Sequence, residues 1–155
     1  MSGFAELRLE LPGTWQLEAY TVEDPHGAVI DRPFGEHPIG LLVYTAGGHI
    51  SVHAMAAGRT RCETLRPVEC APDVKLAAYD SYVGYAGTWT LDGDVVTHHV
   101  EATCFPDWTG TDLRRIVRIE GDALVLRGAG YHPSRPRIPV LTWRRDPRSP
   151  QCTQP

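Results

Sequence analysis

Within THHVEATCFPDWTG (97–110), two adjacent histidines, His98 and His99, precede Glu101, Cys104 and a Phe-Pro-Asp-Trp run that ends at Trp108. An imidazole titrates near neutral pH, so either histidine could move a proton in catalysis. With the carboxylate and the thiol, the same residues could instead ligate a metal. Successive side chains on a strand point to opposite faces, so only one of the two histidines can look into a given interior. Which one does so depends on the elements that carry them.

Glycine and proline clusters cut the 155-residue chain into short segments that alternate apolar and polar residues with period two. Eight strands are predicted, over 14–22, 39–45, 49–55, 82–91, 95–104, 111–120, 123–129 and 139–145. The turns AGG (46–48), DG (92–93) and EGD (120–122) are too short for anything but antiparallel neighbours. One short helix is expected at 71–80, with Asp73 as a candidate cap. The segments 56–72 and 130–138 read as surface loops. The hairpins succeed one another without a long crossover in the C-terminal half, which favours a barrel over a sandwich. The expectation is an all-β protein: a closed or nearly closed antiparallel up-and-down barrel of about eight strands with one short helix. Residues 1–145 form the single domain and 146–155 a flexible tail. An eight-stranded barrel can enclose a small ligand.

In the hairpin YVGYAGTWTL-DG-DVVTHHVEATC, a two-residue Asp92-Gly93 turn pairs Leu91 with Asp94, Trp89 with Val96, Gly87 with His98 and Tyr85 with Val100. The face holding Tyr85, Trp89, Val96, His98, Val100, Ala102 and Cys104 is mostly apolar and should look inward. His99 and Glu101 then look outward, and Gly87 should leave open space beside the His98 ring. In TDLRRIVRIE, Leu113, Val117 and Ile119 alternate inward, which carries Arg115 inward and Arg114 and Arg118 outward. A guanidinium among barrel-lining residues is costly unless it is paired or faces a polar cavity, and no inward acid stands on the neighbouring strands. His98 and Arg115 are therefore the catalytic candidates: His98 as acid–base, Arg115 as the cation for a carboxylate, phenolate or enolate oxygen.

Tyr44, Ser51, His53, Tyr82 and Tyr85 could supply further polar groups to the cavity, although the AGG turn allows two registers and leaves Tyr44 and His53 without a fixed face. Trp89 joins them as an aromatic wall or as core, and Trp108, in a loop between strands, as a lid or a plug. A metal site needs three convergent ligands. His99 and Glu101 share a face, and His49 or His53 would have to join them, so no metal is expected. No G-x-S-x-G elbow is present, nor any nicotinamide or flavin fingerprint, and no cofactor is expected. Net charge is −4 without a basic block, which argues against nucleic acid. No secretory leader or membrane-spanning run is visible, so the expected location is the cytoplasm. The four cysteines include no CxxC pair; Cys62 and Cys70 are spaced so that a bridge is possible, but a reducing cytosol disfavours it.

GTWQLEAY (13–20), PFGEHPIGLLVYTAGGHISV (33–52), YVGYAGTWTLDGDVVTHHVE (82–101), FPDWTGTDLRRIV (105–117) and LTWRR (141–145) resemble, in that order, the stand-alone lipocalin-like domain family of bacteria and fungi. The resemblance spans about residues 11–145 and implies a closed antiparallel barrel with an internal cavity. It implies no single activity, although some related barrels accompany enzymes of natural-product biosynthesis or degradation. The chain departs from the family's usual pattern in the cysteine-containing loop 56–72 and at Cys104. The functional expectation is a cofactor-independent barrel that holds an apolar aromatic or polyketide-like molecule and catalyses an isomerisation, cyclisation or hydrolysis on it. Its alternatives are a non-catalytic carrier of a small hydrophobic acid and an interaction module that uses the barrel exterior. A homodimer is compatible with the first two.

Overall fold

The computed structural model describes residues 3–129 and 137–149. Among these residues nine strands form one antiparallel sheet: β1 (Gly13–Glu23), β2 (Val29–Asp31), β3 (Ile39–Tyr44), β4 (His49–Met55), β5 (Tyr82–Asp92), β6 (Val95–Thr103), β7 (Asp112–Glu120), β8 (Ala123–Gly128) and β9 (Ile138–Arg145). Their order is β2-β1-β3-β4-β5-β6-β7-β8-β9, and β1 also pairs with β9. Eight strands thus close into the expected all-β, lipocalin-like barrel, with β2 added at the end of β1. The three residues of β2 are all exposed and too few to carry an alternation, which is why no strand was expected there.

Two α-helices among the described residues accompany the barrel, α1 (Gly3–Glu10) and α2 (Pro72–Asp80). The second is the expected one; Pro72 suits its first turn, and Asp73 makes no capping bond. The first was not expected. It buries none of its own residues, so its sequence has no apolar stripe to read. Its anchor is Leu11, immediately after its last turn. Leu11 is fully buried, and its carbonyl accepts a hydrogen bond from Trp15 Nε1 at 3.0 Å. No helix among the described residues is long and apolar enough to cross a membrane.

At the end nearest α1 side chains fill the barrel interior, and what opens there is an outer groove against α1, lined by Leu9, Gly13, Val43 and Trp89. Trp15, Leu42, Val96 and Leu124 are fully buried there, each contributing about 1.5–3 kcal/mol by leaving water. The Arg145 guanidinium lies 4.0 Å over the Trp15 ring and closes this end. Past it the chain stays tied to β1: the Asp146 amide bonds the Thr14 carbonyl, Gln16 donates to the Asp146 carboxylate, and the Thr14 amide bonds Ser149 Oγ. Residues 146–149, within the span expected as a tail, are thus tied to β1. The rest of that tail, and most of the 130–138 loop, lie outside the described residues.

The β5–β6 hairpin turns at Gly93-Asp94, one position later than expected, so Asp92 pairs with Val95 and Trp89 with His98. Moving a two-residue loop by one position moves every partner by two, so the faces survive and His98 still points inward. The local expectation for Gly87 does not survive. It pairs with Val100 beside a bulge, and a Cβ there would sit 1.9 Å from the His99 carbonyl oxygen. This glycine permits a close backbone approach and leaves no open space beside an imidazole. The bulge also turns Ala102 outward, contrary to expectation, and sets Thr103 opposite Tyr85.

In the β3–β4 hairpin, Tyr44 pairs with Ile50 and Leu42 with Val52, all inward. That register settles the open faces: Tyr44 lies inside, and Ser51 and His53 lie outside. In the 56–72 loop, a 3-10 turn over Pro67–Glu69 brings Cys62 and Cys70 to a Cα separation of 5.1 Å, and they form a disulfide. The bridge that a reducing compartment disfavoured is present.

Candidate functional site

Away from α1 the barrel is hollow. A cavity of about 340 Å³ opens where β3, β5, β7 and β9 begin. Val52, Val83, Leu126 and Leu141 supply apolar wall from four strands, and Phe34, Trp108 and Trp143 supply aromatic wall. Polar groups are few: Tyr20, Tyr85 and Arg115 in the wall, with the exposed Asp80 at the rim. A mostly apolar pocket with a few placed polar groups is the usual form of a small-molecule site, and this volume is at the small end of that range.

His98 does not line this cavity. It is fully buried between two phenols, with Nε2 2.6 Å from Tyr44 Oη and Nδ1 2.8 Å from Tyr85 Oη. The three rings come from β3, β6 and β5, and pack with tilted planes at centroid distances of 5.6 and 5.7 Å. Burial, with the positive charge of Arg115 and the neighbouring His99, holds the imidazole well below its ordinary range, so it stays neutral. Burial likewise pushes the Tyr44 phenol well above its ordinary range and Tyr85 upward, with Arg115 pulling the other way. All three groups are therefore uncharged at neutral pH. A neutral imidazole has one N–H and one bare nitrogen, so it donates to one phenol oxygen and accepts from the other.

Arg115 stands on β7 opposite Val96 of β6 and Gly128 of β8, and is less exposed than Arg114 or Arg118, as the alternation predicted. Among the described residues it forms no salt bridge, and its hydrogen bond runs from Nη1 to the Arg114 carbonyl at 2.9 Å. Most of the guanidinium fork is thus left for the cavity. Arg115 and Tyr85 share the cavity wall; His98 reaches it only through Tyr85.

The remaining candidates divide. Trp108, at the end of a 3-10 turn over Pro106–Trp108, lines the cavity with its ring edge-on to Tyr85 at 6.0 Å. Trp89 lies on the solid side of Tyr44, edge-on at 5.4 Å, and its Nε1 donates to the Thr45 carbonyl; it supports the site without touching the cavity. Ser51 and His53 are corrected to the barrel exterior. Ser51 Oγ lies 3.3 Å from His53 Nε2, and His53 Nδ1 bonds the Tyr82 hydroxyl. His99 is also outside, between Thr90 Oγ1 at 3.0 Å and Asp112 Oδ1 at 2.7 Å. No group of three or more His, Cys, Asp or Glu suited to a metal ion occurs among the described residues.

Two wall residues were not foreseen. Tyr20 enters because a bulge at Glu18 shifts the β1–β9 register between Leu17 and Ala19, and so exchanges the faces of the residues beyond it. Trp143 is 1% exposed. Yet its Nε1–H is a buried side-chain donor without a partner among the described residues, and its ring lines the cavity. Alternation could place the ring but had no means to show an unmet donor.

A sequence profile described as a lipocalin-like domain matches residues 12–146. The chain is also similar to the 4'-hydroxy-3'-methoxypropiophenone carrier protein ppsC of Aspergillus oryzae, at 35% identity over 89 residues. That alignment covers 49% of this chain and 78% of the relative.

Proposed function

The chain belongs to the lipocalin-like domain family, and we propose that its barrel is a carrier for a small, largely apolar aromatic molecule with at least one hydrogen-bond-accepting oxygen. The observation that carries this reading is the cavity itself: about 340 Å³ of mainly apolar and aromatic wall that includes Tyr85 and Arg115, the latter without a salt bridge among the described residues. A guanidinium and a phenol suit a carbonyl, carboxylate or phenolate oxygen. The relative named as a propiophenone carrier supports the same ligand chemistry. Carriage is favoured over conversion because the neutral His98 is shut behind Tyr85 and cannot touch a ligand.

One observation favours the second reading, acid–base chemistry by an isomerase, cyclase or hydrolase. Tyr85 is backed by His98 at 2.8 Å and shares its wall with Arg115, so a proton delivered by Tyr85 could be matched by charge stabilisation at Arg115.

Titration with 4'-hydroxy-3'-methoxypropiophenone, followed by the fluorescence of Trp108 and Trp143, tests the proposal. Saturable one-to-one binding that is lost when Val83→Trp fills the cavity is the expected result. Chromatography and mass spectrometry of the compound recovered after denaturation should return it unchanged. A converted product would replace the carrier reading with the catalytic one; binding that Val83→Trp leaves intact would place the site elsewhere.

A further inference from the structure

The chain Tyr44–His98–Tyr85 contains three mobile protons and two contacts. Tyr44 is 1% exposed, and among the described residues its hydroxyl has His98 Nε2, at 2.6 Å, as its only partner. Were Nε2 protonated, it would donate to Tyr44 Oη, and the Tyr44 hydroxyl proton would be buried with no acceptor. That arrangement forfeits a hydrogen bond in the protein interior. The other order satisfies both contacts: Tyr44 O–H donates to a bare Nε2, and Nδ1–H donates to Tyr85 Oη at 2.8 Å. The proton left over is then the hydroxyl proton of Tyr85, and Tyr85 lines the cavity.

Resting on the binding reading above, we infer that this proton order makes Tyr85 the specificity-determining residue of the cavity: its O–H is held ready to donate to a carbonyl oxygen of an aromatic ligand. Accepting from Nδ1–H polarises the phenol and strengthens the bond it donates. Arg115 adds a further donor to the same wall. A carbonyl has acceptor lone pairs and no proton of its own, so it matches a wall of donors. Tyr44, which does not line this cavity, is a positioning residue: it acts by keeping Nε2 bare.

Two measurements test the inference, and the first needs no ligand. Ring ¹⁵N NMR of the wild-type protein should assign His98 a protonated Nδ1 and a bare Nε2 at neutral pH, and Tyr44→Phe should disturb that assignment. A protonated Nε2 in the wild type overturns the inference. The second is a matched pair of probes, propiophenone and n-propylbenzene, which differ in the carbonyl. The wild type should prefer the ketone by about tenfold, the scale of one neutral hydrogen bond, and Tyr85→Phe should remove that preference. Equal binding of the two probes, or a preference that survives Tyr85→Phe, also overturns it. If neither probe binds, the proposed function fails, while the tautomer still decides the proton order.

Discussion

Tyr85 Oη lies 2.8 Å from His98 Nδ1, and Tyr85 is the member of this pair that meets the cavity. The histidine thus acts on the interior only through a phenol. Its own protonation is governed by the burial around it, which has consequences for stability as well as for binding.

Stability should fall in acid through His98. Its ordinary value is 6.5, and the fold holds it well below that, mainly by burial. Above pH 6.5 both states are neutral, and this group adds no pH dependence. As pH falls below 6.5, the unfolded chain takes up a proton that the folded protein refuses. Stability is therefore lost progressively towards the folded value, by at most about 1.4 kcal/mol per pH unit. Melting temperatures between pH 8 and pH 5 should show this slope, and His98→Gln should flatten it at a general cost of about 1–3 kcal/mol. Equal slopes in the two proteins would mean that His98 is not the group responsible.

Arg115→Met should weaken the binding of an oxygen-bearing aromatic ligand by about 1.5–3 kcal/mol, the scale of a charged hydrogen bond, and change the melting temperature little. It breaks no salt bridge among the described residues. Removing its charge should also let the His98 value rise, since that charge holds it down. Calorimetric titration of both proteins decides the point; unchanged affinity would remove Arg115 from the site.

Gly87→Ala should be severe and Gly110→Ala mild. A Cβ at 87 would meet the His99 carbonyl oxygen at 1.9 Å, a backbone atom that cannot move without breaking the β5–β6 ladder. About 3 kcal/mol, the upper part of the overpacking range, is expected. At Gly110 there is nothing within 4 Å and only the positive φ of 75° opposes a side chain, for a cost of about 1 kcal/mol. Urea denaturation of the two variants would contradict this if the costs were equal or reversed.

Trp108→Ala should speed ligand release. Its ring lines the cavity from a loop and packs edge-on against Tyr85 and Phe105. Losing such aromatic contacts is worth about 0.5–1.5 kcal/mol, or roughly twofold to twelvefold in off-rate if association is unchanged. Stopped-flow displacement measures it, and an unaltered off-rate would show that Trp108 does not guard the mouth.

Much of the barrel was legible because alternation is a local property. Each run such as TDLRRIVRIE states which residues share a face, and short turns state that neighbours run antiparallel. This sufficed to send His98 and Arg115 inward and His99 outward, even with the β5–β6 turn misplaced by one position, because the resulting shift of two residues preserves parity. Where an extra residue interrupts a strand, parity reverses and local reading fails: Glu18 brings Tyr20 into the wall, and the bulge beside Gly87 turns Ala102 out. The faces of Tyr44 and His53 stay open in the sequence for a different reason, since the AGG turn permits two registers and only pairing along β3 and β4 selects one. The α1 helix had no signal at all, because it buries no residue of its own.

The sequence by itself determined the all-β class, the antiparallel order and the inward direction of His98, Arg115 and Tyr85, since all of these stem from period-two patterning and turn length. Tertiary structure decided distance. Closure of β1 against β9 packs one end of the barrel solid and leaves the other hollow. That division sets Arg115 and Tyr85 in the cavity wall and shuts His98 between two phenols. Facing is a property of one strand, whereas sharing a cavity depends on how eight strands and their bulges sum around a closed barrel.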